Sequence, residues 1–234
     1  MIGAVIQARM NSQRLPGKVL QTVGDKSLLQ YVLERVKRCK QINEIVIATS
    51  LESGDDPVSI FCQGHGVGCY RGSLFDVASR FNSILMTHSW DAVVRINGDS
   101  PLLDQHLIDS GISYFAGKDY DLVTNVFPRT YPRGQSVEII RASTFKRIYP
   151  KMRDQEDLEH VTRFFYHNST DFHIFNFSSP VDYSAIPLSV DTPEDLHRFS
   201  QIVSKMSKSH WEYKLEDVIR IYQQLESIQG ETNR

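Results

Sequence analysis

The 234-residue chain has only three cysteines, Cys39, Cys62 and Cys69. An odd number without the spacing of a disulfide framework predicts reduced thiols in the core or at the surface. Cys62, His65 and Cys69 would need a fourth ligand at finger-like spacing to form a zinc site. None lies nearby in the sequence, so zinc is disfavoured.

Neither a charge excess nor a long hydrophobic run is present. The formal net charge is −2, whereas proteins with a broad nucleic-acid surface usually carry a basic excess. The apolar stretch at residues 2–6 is too short for a membrane span, and Arg9 ends it before a signal-peptide core could form. We therefore expect a cytoplasmic protein with neither a nucleic-acid nor a membrane partner.

Internal repeats and low-complexity tracts are also lacking, and the length fits one large α/β domain, although length alone leaves two smaller domains open. Strands alternate with helices in the first half, which favours a parallel sheet covered on both faces. The predicted strands there are 2–8, 44–50, 67–70 and 91–96. The predicted helices are 28–39, 57–62, 74–86 and 104–115.

The second half predicts a mixed extension of this sheet. Its strands are expected at 123–127, 136–140 and 172–177, and its helices at 142–149 and 157–166. Two amphipathic helices, one after Thr192 and one from about 215, would either pack on the domain or form a dimer contact.

The loop ARMNSQRLPGK, residues 8–18, follows the first strand and concentrates three cations, Arg9, Arg14 and Lys18. One interpretation is a solvated turn, because Pro-Gly is a turn signal by itself. The other is a cradle for the phosphates of a nucleotide. It is not a Walker A sequence, since Lys18 is followed by Val19 rather than Ser or Thr.

Two acids each follow a predicted strand: Asp99 in NGDSP and Asp191 in LSVDTPEDL. Either acid could belong to an ordinary turn or helix cap. Strand carboxyl ends meet at one edge of a doubly wound sheet, so the acid at 99 and the cationic loop are expected together. Two carboxylates at such an edge would suit Mg²⁺, which takes one or two protein carboxylates together with phosphate and water oxygens.

Six segments in this order resemble the cytidylyltransferase family, which includes CMP-sialate, CMP-pseudaminate and CMP-KDO synthetases, and most of all its SpsF-like spore-coat polysaccharide branch. They are ARMNSQRLPGK, YRGSLFDVASRF, NGDSPL, PRGQSVE, EHVT and VDTPEDL. The resemblance implies a Rossmann-like nucleotide-diphospho-sugar transferase fold. It also implies Mg²⁺-dependent transfer of CMP from CTP to a sugar or sugar acid, with release of pyrophosphate, by an enzyme that is often dimeric.

The resemblance further assigns residues to the nucleotide and the metal. Arg9, Arg14, Lys18 and Asp99 would be catalytic, and Asp99 and Asp191 would bind Mg²⁺. The nucleotide-binding set would be Ala8, Arg9, Met10, Asn11, Arg14, Lys18, Arg71, Gly72, Ser73, Asn97 and Asp99. The family's loop usually reads Gly-Ser-Thr where this chain has Asn-Ser-Gln at 11–13, and we expect Asn11 to tolerate a left-handed backbone there.

Acceptor recognition is assigned to a third set. It comprises Arg129, Arg133, Gln135, Glu138, Glu159 and His160. The two arginines would fork onto a carboxylate or would be solvated loop charges, and both interpretations stay open. Glu138 would bind acceptor hydroxyls, whereas His160 would serve the acceptor or be a buried structural histidine.

Asp76 and Arg80 lie four residues apart on the predicted helix 74–86, and this spacing predicts a surface ion pair. Two alternative functions remain: a glycosyltransferase-like enzyme that uses a preformed nucleotide sugar, and a non-catalytic nucleotide sensor. Three cations suit a triphosphate better than a nucleotide sugar, and a sensor has less need of two metal-binding acids.

Overall fold

The structure is a computed structural model that describes residues 1–232, with side chains through residue 228. Within these residues the strands are β1 (Ile2–Gln7), β2 (Thr22–Val23), β3 (Lys26–Ser27), β4 (Glu44–Ser50), β5 (Gly68–Gly72), β6 (Ala92–Asn97), β7 (Leu122–Thr124), β8 (Glu138–Arg141) and β9 (Ile174–Asn176). The helices are α1 (Leu28–Val36), α2 (Asp56–Gly64), α3 (Val77–Thr87), α4 (Gln105–Phe115), α5 (Ala142–Ile148), α6 (Gln155–Glu159), α7 (Arg163–His167), α8 (Pro193–Ser204) and α9 (Leu215–Thr232). No helix in this part of the chain is both long and apolar enough to cross a bilayer.

Seven strands form one sheet in the order β5-β4-β1-β6-β8-β7-β9. The neighbours β5, β4, β1 and β6 are parallel, β8 runs antiparallel to β6 and β7, and β9 is parallel to β7. The predicted parallel sheet with a mixed extension is confirmed. The carboxyl ends of β1, β4, β5 and β6 therefore meet at one edge, which is where the candidate site lies.

Side chains along β1 alternate between two cores. Ala4 and Ile6 pack with α1, α2 and α4 on one face of the sheet. Val5 packs with α3, α5 and α7 on the other face. Because both faces are buried, this strand is an uninterrupted apolar run, and helices cover both faces as predicted.

A third core joins α8 and α9 to the segments around the opening loop. Leu15 from that loop and Leu28 from α1 pack with Phe199 of α8 and Val218 of α9. Helix α8 begins with a capping box, in which the side chain of Thr192 accepts from the backbone N–H at 195 and the side chain at 195 accepts in return. The C-terminal helices thus pack against the opening loop through Leu15.

Two predicted elements differ from those observed, and one hairpin was missed. The short strand predicted directly before Asp191 is not found among the described residues, where the backbone N–H of Val190 instead donates to the carbonyl of Asp99 at 2.9 Å.

The predicted helix 157–166 is two short helices, α6 and α7, because the backbone leaves the helical conformation at His160 (φ −102°, ψ 54°). Val161 in the connection between them is completely buried. The sequence prediction also missed the hairpin of β2 and β3, in which Gly24 adopts φ 64°. Gly-Asp between two strands is a known two-residue hairpin signal that could have revealed it.

Candidate active site

A cleft of about 610 Å³ opens at the carboxyl ends of the parallel strands. Most of its lining comes from the opening loop, the residues that follow β6, and the segments before α3, α7 and α8. Ten predicted site residues line it: Ala8, Arg9, Asn11, Arg14, Lys18, Asn97, Asp99, Glu159, His160 and Asp191. Five segments that are distant in the sequence contribute the lining, so the position of the cleft follows from the topology of the sheet.

The opening loop is held by the backbone of Met10. The carbonyl of Met10 accepts from the N–H groups of Ser12 and Gly17, at 2.9 and 2.8 Å. Gly17 adopts φ 70°, and in the part of the chain described every residue with a positive φ is a glycine. The expected left-handed backbone at Asn11 is therefore wrong: glycine supplies it six residues later.

Asp55, which the sequence prediction missed, anchors this loop to β4. Its Oδ1 accepts from the N–H of Met10 at 2.6 Å, and its Oδ2 accepts from the N–H and hydroxyl of Ser50. Burial of Asp55 acts to raise its pKa. The hydrogen bonds that its carboxylate accepts outweigh this effect and lower the pKa below its ordinary value. Asp55 lies five residues after the last residue of β4, in a polar loop segment that gave no distinctive sequence signal.

Lys18 lies between the two predicted metal ligands. Its Nζ donates to Asp99 Oδ2 and Asp191 Oδ1 at 2.8 Å each, and to the carbonyl of Val190 at 3.0 Å. These three acceptors use all three donors of the ammonium group. Burial acts to lower the pKa of Lys18, but the two carboxylates raise it above the ordinary value.

Neither carboxylate caps a helix. Thr192 is the N-cap of α8, and Asp104 is the N-cap of α4, where its side chain accepts from the N–H of His106. Asp191 instead contacts Arg14 at 3.1 Å as well as the lysine at 18. The interpretation of these acids as ordinary caps is therefore wrong.

Two glycine-dependent contacts shape the floor. A Cβ at Gly98 would lie 3.0 Å from the carbonyl oxygen of Gln7 and 3.1 Å from the Cβ of Ala8. Glycine thus lets the chain after β6 pass close to the end of β1. Beside it, the buried Oδ1 of Asn97 has no hydrogen-bond partner in the structure, so the cleft retains an acceptor for a ligand.

Glu159 and His160 lie at the rim. Arg9 donates to Glu159 Oε1 at 2.8 Å, which joins the opening loop to the end of α6. His160 is exposed, with its Nε2 3.6 Å from Glu156 Oε2. The alternative that it is a buried structural histidine is wrong.

The predicted residues of strand β5 and beyond support the cleft without lining it. Arg71 donates to the carbonyls of Ser50 and Glu52 and pairs with Asp56 at 2.7 Å. Ser73 Oγ accepts from a backbone N–H three residues later. Gly72 is buried, and its role is steric: a Cβ there would lie 2.8 Å from Cγ of Arg80.

Two members of the predicted acceptor set are buried with their polar atoms occupied. Gln135 is fully buried, accepting from the N–H of Asp104 and donating to the carbonyl of Leu102. Glu138 is paired across the strands with Arg95 and accepts from the hydroxyl of Tyr166. Burial acts to raise the pKa of this glutamate, and Arg95 lowers it below the ordinary value. The expectation that either residue contacts an acceptor directly is corrected.

The two arginines of the proline-rich loop also lie outside the lining of the cleft. Arg129 donates to the carbonyl of Pro132 and to Ser136 Oγ, and burial lowers its pKa. Arg133 is exposed, and its backbone pairs with residues 186–188.

Arginines that the sequence prediction did not assign line the cleft instead. Arg95 donates from Nε to Gln7 and from Nη1 to Glu138, so a cross-strand partner fixes it. Arg80 is almost fully buried, and the predicted ion pair with Asp76 is wrong. Asp76 instead caps α3 by accepting from the N–H of Ser79 at 2.7 Å.

The carboxylates of Asp99 and Asp191 are suited to a divalent cation. Their oxygens already converge on one cationic nitrogen at 2.8 Å each, so they can also converge on one metal ion. Among the described residues, no group of three or more His, Cys, Asp or Glu could hold a metal. A hard cation such as Mg²⁺ would therefore need oxygens of water and of a bound phosphate to complete its shell.

Comparison with known proteins decides the family. The model of the family described as cytidylyltransferase matches residues 3–224. The chain belongs to the cytidylyltransferase family. This confirms the resemblance drawn from the opening loop and the segments that follow it.

Relatives of this cytidylyltransferase agree with that assignment. The spore coat polysaccharide biosynthesis protein SpsF of Bacillus subtilis is 31% identical over 211 residues, which cover 86% of this chain and 85% of SpsF. The solved structure of a cytidylyltransferase from Leptospira borgpetersenii has a TM-score of 0.91 at 31% identity, covering 97% of this chain and 95% of that one. The structure of CMP:2-keto-3-deoxy-manno-octonic acid synthetase complexed with CTP has a TM-score of 0.69 at 19% identity, covering 87% of this chain and 98% of that one, and so shares the nucleotidyltransferase fold.

Proposed function

We propose that this cytidylyltransferase is a Mg²⁺-dependent enzyme that transfers CMP from CTP to a sugar or sugar acid and releases pyrophosphate. The observation that carries the proposal is the convergence of Lys18, Asp99 and Asp191 in one cleft with Arg9 and Arg14. Three cations and two carboxylates from separate segments match a triphosphate bound with one metal ion.

In the proposed reaction an acceptor hydroxyl attacks the α-phosphorus of CTP. A new phosphorus–oxygen bond forms to the acceptor, the bond to the β-phosphate oxygen breaks, and the hydroxyl proton passes to solvent. The bound Mg²⁺ would neutralise charge on the phosphate oxygens and the leaving pyrophosphate. No side chain needs to form a covalent intermediate, so neither Ser12 nor any cysteine is assigned as a nucleophile.

The side chains of the opening loop would orient the triphosphate. Arg14 is exposed, with its guanidinium 3.1 Å from Asp191, so it can swing onto a phosphate. Lys18 must exchange at least one of its protein acceptors for a phosphate oxygen, because all three of its donors are used. Metal binding to the two carboxylates would release it for that purpose.

The acceptor class is inferred from a relative and from the rim of the cleft. The relative SpsF carries polysaccharide biosynthesis in its name, which favours a sugar-derived acceptor and a role in surface polysaccharide or glycan synthesis. Glu159 and His160 at the rim lie where an acceptor could approach. The proposal includes the cytoplasmic location expected from the sequence and the homodimer implied by the resemblance to the family.

Pyrophosphate release tests the proposal. The protein is incubated with each of the four nucleoside triphosphates, Mg²⁺ and a panel of sugars and sugar acids, with EDTA and acceptor-free controls. Release that requires CTP, Mg²⁺ and one acceptor class supports the proposal. Metal-independent release, or turnover of a preformed CMP-sugar with a second sugar, would contradict it.

A further inference from the structure

Arg80 lines the cleft although it is only 1% exposed, which is unusual for a charged residue. Its Nη1 donates to the carbonyl of Ala48 at 3.5 Å, and its Nη2 donates to the carbonyl of Leu74 at 3.2 Å. Its Nε is buried without any hydrogen-bond partner. A buried N–H that stays unpaired destabilises the protein, and a ligand that accepts from it would remove that cost.

The fold makes room for this side chain. A Cβ added at Gly72 would lie 2.8 Å from Cγ of Arg80 and 3.0 Å from Cε1 of Tyr70. The end of β5 therefore requires glycine to let Arg80 lie against β4 and β5. This arrangement fixes the guanidinium before any ligand binds.

Among the described residues, no carboxylate forms an ion pair with the guanidinium of Arg80. Burial, and then the charge of Arg9, lower the pKa of Arg80 to about 10, while the more distant charges of Asp55, Asp76 and Glu159 act to raise it. The group therefore stays protonated at neutral pH. A fixed, charged donor is left at the wall of the cleft.

Arg35 provides an internal comparison. It is fully buried and also has an unpaired Nε, but its other nitrogens donate to Gln105 and to the carbonyls of His210 and Tyr213. It does not line the cleft. The unpaired nitrogen becomes informative at Arg80 because of where that residue lies.

The position along the sheet edge separates Arg80 from Asp99 and from Lys18, which donates to Asp99. Arg80 contacts the ends of β4 and β5, whereas Asp99 follows β6, and β1 lies between them. Leu74, Phe75 and Val77 line the cleft on the side of Arg80. Apolar side chains with one fixed donor suit a flat heteroaromatic ring better than a triphosphate.

We infer that Arg80 reads the base of the nucleotide by donating to the acceptor edge of cytosine, formed by O2 and N3. The inference rests on the proposed function, since it names the residue that makes CTP the preferred substrate. Uracil carries a hydrogen on N3, so the same charged donor would face another donor. Discrimination then comes from an unpaired polar contact with the wrong base.

Equilibrium binding separates the base contact from phosphate contacts. CTP, UTP and inorganic tripolyphosphate are titrated with Mg²⁺ into the wild-type protein and into Arg80→Met and Arg80→Lys. We expect both variants to lose at least about tenfold of the CTP-over-UTP preference, with unchanged affinity for tripolyphosphate. Lysine should not rescue the preference, because it lacks the planar donor set of arginine.

Two further variants control for folding. Arg35→Met should lower the thermal midpoint while keeping the wild-type ratio of CTP to UTP affinity. Gly72→Ala keeps the charge but displaces Arg80, so it should lose the ratio even if Arg80→Met fails to fold. Far-UV circular dichroism and the thermal midpoint report folding for each variant.

Each result of these titrations either supports the role of Arg80 in base recognition or overturns it. A folded Arg80→Met or Gly72→Ala protein with the wild-type ratio overturns the inference while leaving the proposed function intact. A parallel loss of CTP, UTP and tripolyphosphate affinity also overturns it, because Arg80 would then bind phosphate. A wild-type protein that binds tripolyphosphate but shows no preference for CTP removes the proposed function and the inference together.

Discussion

The backbone N–H of Met10 donates to Oδ1 of Asp55 at 2.6 Å, although 45 residues separate them. This contact ties the cationic loop after β1 to the segment after β4. Because the carbonyl of Met10 in turn accepts from Ser12 and Gly17, one buried carboxylate controls the shape of the whole loop. The cations of the loop are thus positioned by an acid that touches none of them.

Replacement of Asp55 by Ala should disorder this loop. It would leave the N–H of Met10 and both donors of Ser50 unpaired, so we expect a loss of about 2–3 kcal/mol in the free energy of unfolding and a higher KM for CTP. Urea denaturation and steady-state kinetics measure the two effects. Asp119→Ala, at a side chain that is 93% exposed, is the control for loss of a carboxylate. A wild-type KM in Asp55→Ala would show that the loop holds its shape without this anchor.

Asp99→Asn should lower turnover by at least about 100-fold, because an amide binds a divalent cation weakly and stabilises less charge in the transition state. Folding should be retained, since Asp191 and the carbonyl of Val190 continue to accept from Lys18. Pyrophosphate release and the thermal midpoint are the two readouts. Near-normal turnover in a folded variant would remove Asp99 from the mechanism, and Asp119→Asn serves as the matched control.

Lys18→Met should make the two carboxylates a better site for Mg²⁺ in the absence of nucleotide. The ammonium group that occupies the point between Asp99 and Asp191 would be gone, and their mutual repulsion would favour a divalent cation. Mg²⁺ at ten times its Kd would stabilise the variant by about 1.4 kcal/mol. Thermal unfolding with Mg²⁺ and with EDTA measures this, even though the variant should be inactive.

Lys26→Met is the control for that experiment, because Lys26 pairs with Glu34 outside the cleft. It should show the same Mg²⁺ response as the wild-type protein. If Mg²⁺ shifts the thermal midpoint of Lys18→Met no more than that of the control, the two carboxylates do not form a metal site on their own.

The sequence was sufficient to predict the sheet edge and the convergence of its polar residues. Alternating strands and helices implied parallel strands, whose carboxyl ends must meet, and this brought Asp99 to the cationic loop. Asp191 was placed there as a second acid after a predicted short strand, and the resemblance to the family then gave the same assignment. Helix boundaries near Glu159 were less predictable, because the apolar spacing of this segment continues through the non-helical backbone at His160.

The roles of buried polar residues could not be predicted in this way. Spacing alone paired Asp76 with Arg80, yet Gly72 on a different element decides that Arg80 is buried. Glu138 follows a loop that resembles an acceptor segment, yet its register opposite Arg95 decides its partner. Both outcomes depend on contacts between strands that are distant in the sequence.

His210 should make the stability of the protein sensitive to mild acid. Burial lowers the pKa of His210 to about 4, although its hydrogen bond to Glu34 acts to raise it, and the ring packs against Tyr31 with centroids 4.6 Å apart. An unfolded histidine takes up a proton near pH 6.5, so stability is fully present above that pH and falls as the pH drops towards 4, by on the order of 2–3 kcal/mol. Glu34, whose pKa is lowered to about 2 mainly by Lys26 and His210 against the effect of burial, stays ionised throughout this window. His210→Gln should flatten the dependence of the urea midpoint on pH between 6.5 and 4.5. Replacement of the exposed His106 by Gln is the control and should leave the wild-type slope. An equal slope in all three proteins would assign the acid sensitivity to other groups.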